Sequence, residues 1–84
     1  MDEEPLLVLL NASPFRMNVF YEPQDRRFRL VLLQSDDVVL TDWVDSVREP
    51  HSGVDPADMA ALRAKSVAMC IENERRRNSE LMKG

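Results

Sequence analysis

Glycine and cysteine are nearly missing from this 84-residue chain, which holds two of the first and one of the second. With only Gly53 and Gly84, there is no glycine-rich turn after a strand to cradle phosphates, so nucleotide-binding loops of that kind are excluded. The single Cys70 excludes a disulfide within the chain. With His51 as the only histidine, a closed zinc site lacks its ligands, and no cofactor or metal is expected. Long hydrophobic runs are lacking too. No run is longer than Leu6 to Leu10, far short of the ~20 apolar residues that span a bilayer. A lone thiol, no apolar leader after a basic start and the acidic opening Asp2, Glu3 and Glu4 point to a soluble protein of the reducing cytoplasm.

What is present is a mosaic of charge. The net charge of -4 breaks into -4 over residues 1–25, +3 over 26–34, -6 over 35–58 and +3 over 59–84. An acidic middle disfavours general binding to a phosphate backbone and suits a partner with a basic surface.

The pattern from residue 6 to 40 is that of strands. Leu6 to Leu10 is apolar without alternation, as in a strand covered on both faces, and Asn11-Ala12-Ser13-Pro14 stops it. Phe15, Met17, Val19 and Tyr21 then alternate with Arg16, Asn18, Phe20 and Glu22. Glu22-Pro23-Gln24-Asp25 reads as a turn, Phe28, Leu30 and Leu32 as one face of a third strand, and Gln34 to Asp37 as a second turn before a short strand Val38 to Leu40. The spacing of Trp43, Val44 and Val47 after Asp42 predicts a short helix over 42–49, followed by a loop over 50–55. Asp55-Pro56-Ala57-Asp58 is a strong helix start: an N-cap acceptor, proline at the first helical position, and a carboxylate at the positive end of the dipole. A long helix over 56–82 follows. Its period puts Ala60, Ala64, Val67, Cys70, Ile71, Leu81 and Met82 on a stripe facing the sheet, with Leu62 and Met69 on the opposite side. The expected fold is α+β: a three- or four-stranded antiparallel β-meander, a short helix, and a long C-terminal helix on one sheet face, all in one domain over 1–84.

No catalytic set emerges. His51 sits in a Pro/Ser/Gly loop at no metal spacing from Cys70, and Cys70 reads as a small core hydrophobe. Asp36 and Asp37 suit a turn, and Asp42 and Asp45 a helix start. The arginine triplet Arg75, Arg76 and Arg77 is spread round its helix at ~100° per residue, so it forms no single phosphate clamp. Phe20 is an aromatic on the wetter face of its strand. Trp43 reads chiefly as a packing residue, and as a partner-facing hot spot otherwise.

The strings Leu6 to Ala12 and Arg27 to Leu33, flanking an alternating strand, are similar to the strand pairs that close the terminal β-sandwich of glycogen-debranching and amylase-type enzymes. None of those enzymes' catalytic carboxylate motifs is here, so the resemblance implies a β-hairpin and no activity.

These readings converge on a small non-enzymatic interaction protein: an adaptor, regulator or inhibitor of a larger protein, of the compact kind found in bacteria and phages. It is expected to act as a homodimer or subunit. Its contact surface is expected at Leu62, Met69, Leu81 and Met82, with Phe20 and Trp43, and with Asp36, Asp37, Asp42 and Asp45 setting partner charge. The alternatives are a nucleic-acid-binding module using Arg26, Arg27, Arg29 and Arg75 to Arg77, and a small metal-assisted enzyme.

Overall fold

The computed structural model of the chain describes residues 4–51 and 53–83, with the backbone alone for residues 82 and 83. Four strands, β1 (Leu7–Ala12), β2 (Phe15–Glu22), β3 (Arg27–Gln34) and β4 (Asp37–Asp45), form one antiparallel sheet in sequence order, and α1 (Pro56–Lys83) follows. Short connections force this meander, because consecutive antiparallel strands need only a few residues to turn. Glu22 pairs with Arg27 around a four-residue turn in which Arg26 has φ 50°, and Gln34 pairs with Asp37 around Ser35 and Asp36, at φ 52° and 69°. Two successive positive φ values suit the right-handed twist of the hairpin, and aspartate tolerates that conformation better than most residues.

Alternation sorts the side chains between two faces. Met17 and Val19 of β2 and Phe28, Leu30 and Leu32 of β3 point to one side, where they form a buried core with Leu62 and Met69 of α1. The helix lies over β3 and β4. Its opening is built as the sequence indicates: the Asp55 carboxylate accepts the Ala57 N–H at 2.9 Å, and the Asp55 carbonyl accepts the Met59 N–H.

Three expectations are corrected. The short helix over 42–49 does not form; these residues extend β4 as far as Asp45, which pairs with Arg27. The reason is non-local. β3 is eight residues long, and a β4 that stopped at Leu40 would leave more than half of its ladder unpaired. Asp42 therefore caps no helix; its carboxylate accepts the Trp43 N–H at 2.8 Å and lies 3.5 Å from the Lys65 ammonium.

The helix is also rotated from the expected setting. Leu62 and Met69 are buried in the core, while Val67 is 59% exposed, Ile71 55% and Leu81 77%. The buried stripe is Asp58, Leu62, Ser66 and Met69, at intervals of four, four and three. Both stripes contain apolar residues, but only this one brings Leu62 and Met69 to a sheet that needs bulk and Asp58 to the chain that enters the helix. Leu62 and Met69 are thus core residues and not a partner surface. The side chain of Met82 lies outside the described residues.

Candidate functional site

The face of the sheet turned away from α1 collects the features most suited to recognition. Register places Phe20, Arg29 and Trp43 in one row across β2, β3 and β4, and Glu22, Arg27 and Asp45 in the next. Cross-strand neighbours on one face lie about 5 Å apart and interact directly. The Arg29 guanidinium carbon stands 4.5 Å from the centre of the Phe20 ring, and that of Arg27 stands 5.0 Å from the centre of the Trp43 ring. Cation–π contacts of this length favour aromatics and guanidiniums held face to face.

Glu22 ties the two arginines together. One of its oxygens accepts the Arg27 Nε–H at 2.7 Å, and the other lies 3.3 Å from Arg29 Nε. The hydrogen bond from Arg27, reinforced by the charges of Arg27 and Arg29, holds the Glu22 carboxyl below its ordinary range against a smaller opposing effect of burial. The same carboxylate raises Arg27. Two aromatics and two arginines are therefore held together by contacts within the chain. Trp43 is 40% exposed among them.

The remaining expected site residues separate. Asp36 and Asp37 are exposed on the β3–β4 turn and Asp45 is exposed at the far end of β4, so the length of the strand separates the two groups. Asp42 points to the helix side and belongs to the Lys65 contact. Leu81 is exposed on the distal helix, remote from the sheet face. His51 is an exposed loop residue 3.5 Å from Glu49, and Cys70 is half-buried against the core. Among the described residues no three His, Cys, Asp or Glu side chains converge to hold a metal ion.

The sequence reading missed Glu22 as an organiser and placed Trp43 on the wrong element. Glu22 was readable: it lies two residues after Phe20, on the same face, directly across a tight turn from Arg27. Trp43 was not, because its position depends on how far β4 follows β3.

A second surface lies between β1 and the near side of α1. There an open groove of about 680 Å³ is floored by Leu7, Leu9 and Leu10 and walled by Met59, Val67 and Ile71.

Fold and face together define a two-layer α+β protein whose uncovered sheet face carries an ordered aromatic and arginine cluster. Comparison with known protein families, with curated proteins and with solved structures returns no match. No described helix is long and apolar enough to cross a membrane.

Proposed function

We propose that this chain is a non-enzymatic protein-interaction protein that presents the open face of its sheet to a larger protein, as an adaptor, regulator or inhibitor. The observation that carries the reading is the Phe20–Arg29–Trp43 row, braced by Arg27 and Glu22. Tryptophan and arginine dominate binding hot spots, and side chains already held in one arrangement lose less freedom on docking. Asp45 beside Arg27 at one end of β4, and the exposed turn acids Asp36 and Asp37 at the other, suit a partner that carries basic groups.

A single-stranded nucleic acid is the second reading, favoured by the same aromatics lying beside arginines. Against it, Glu22 neutralises part of that cluster, and Arg75, Arg76 and Arg77 are each within 3.8 Å of a helix carboxylate, Glu72 or Glu74.

The test is affinity capture with the wild-type chain and with Trp43→Ala and Phe20→Ala in parallel, followed by titration of any captured protein in purified form. The expected result is a partner whose affinity falls at least tenfold with Trp43→Ala, a loss of about 1.4 kcal/mol or more. A captured protein indifferent to both substitutions overturns the reading. Retention of a labelled single-stranded oligonucleotide that weakens steeply with salt replaces it with the nucleic-acid alternative.

A further inference from the structure

We infer that β1 is a self-pairing edge, along which two copies of the chain join antiparallel over Leu7–Ala12 into one eight-stranded sheet. The inference is independent of what binds the open face.

The two edges of the sheet differ in charge. Both carry a bulge, at Leu9 in β1 and at Val39 in β4. Only β4 carries acids: Asp37, Asp42 and Asp45. A symmetric β4 pair centred on Thr41 would set Asp37 of one copy against Asp45 of the other at both ends, so like charges block it. From Pro5 to Phe15 there is no charged residue at all. A symmetric β1 pair therefore brings together nothing but aliphatic and small polar side chains, even in a chain of net charge -4.

Unprotected edges of this composition are unusual in isolated sheets, because their free N–H and C=O groups template pairing; natural proteins block them with charge or cover them. A two-fold axis makes the edge its own complement. The apolar surface beside β1 fits coverage, with Leu6 43% exposed just before the strand, Val8 38% exposed on it, and Val67 and Ile71 exposed on the helix wall. The axis relating antiparallel neighbours stands perpendicular to the sheet, so both helices lie on one side of the joined sheet. Both Phe20–Arg29–Trp43 rows then lie on the other.

Sedimentation or light scattering of the full chain from about 10 µM to about 1 mM covers the range in which an interface at the small end of the size scale assembles. The expected mass rises with concentration towards twice 9.7 kDa. Val8→Lys, which places a charge on this edge, is expected to hold the chain at the monomer mass. Val38→Lys on the opposite edge is expected to leave the dimer intact. Trp43→Ala is also expected to leave the mass unchanged, which separates failure of this inference from failure of the open-face reading. A wild-type chain that stays monomeric across the range, a Val8→Lys chain that still dimerises, or dissociation by Val38→Lys alone overturns the inference. If Val8→Lys does not fold, amide exchange of the wild type decides. Slowing, as concentration rises, of those β1 amides not bonded to β2 supports the pairing, and exchange that ignores concentration refutes it.

Discussion

Asp58 shows how one residue can satisfy two demands. It stands in the first turn of α1, where a carboxylate meets the positive end of the helix dipole, yet it is only 1% exposed. Its two oxygens accept the backbone N–H groups of Val47 at 2.9 Å and Arg48 at 3.4 Å. The segment leaving β4 is thereby fastened to the start of the helix. Two backbone donors would lose their acceptor in Asp58→Ala. The expected loss of stability is about 2–3 kcal/mol, the range for hydrogen bonds to a charged group whose partners are left unsatisfied. Urea unfolding measures it, and a change under about 0.5 kcal/mol would show that water replaces the carboxylate without cost. Sequence made the place of Asp58 at the positive end of the helix dipole plain; its second role depends on where residues 47 and 48 return in space.

At the scale of elements, the β2–β3 hairpin carries a pH dependence. Glu22 has its carboxyl pKa held below the ordinary value of 4.5 by Arg27 and Arg29 in the folded chain. A lowered acid contributes stability that is present above its unfolded pKa and is lost as pH falls through the folded one. Melting temperature is therefore expected to fall on acidification below about pH 4.5, and Glu22→Gln to remove part of that slope while lowering stability at neutral pH. An unchanged acid limb in the variant would show that other carboxylates carry it. The strands of this hairpin were legible from alternation alone, because period two tells a strand's faces apart without knowledge of its neighbours. The setting of α1 was not. Apolar residues occur on both of its stripes, and helical period identifies stripes without saying which one a sheet will take.

For the whole molecule, length matters. The 28 residues of α1 span about 42 Å, against about 27 Å for an eight-residue strand, and the chain's longest dimension is 47 Å. Residues 74–81 are all exposed, so the distal helix projects beyond the sheet, held by pairs such as Arg76 with Glu72 at 3.1 Å. Exposed pairs of this kind contribute about 0.3–0.5 kcal/mol each. Removing residues 76–84 is accordingly expected to lower stability by less than about 1 kcal/mol, as read by thermal melting. A loss of several kcal/mol would mean that the projection packs against something, a second copy included. The overhang itself followed from helix length and strand length, and it carries the exposed Leu81 beside its paired arginines.

The amino-acid order by itself determined everything that acts over a few residues: the alternating strands, the turns at 22–27 and 34–37, and the capped start of the helix at Asp55 and Pro56. Tertiary structure alone decided the extension of β4, the burial of Leu62 and Met69, and the meeting of Phe20, Arg29 and Trp43. The reason is that pairing partners and covering layers lie far away in sequence, and a residue's preference yields when a ladder must be completed or a core filled.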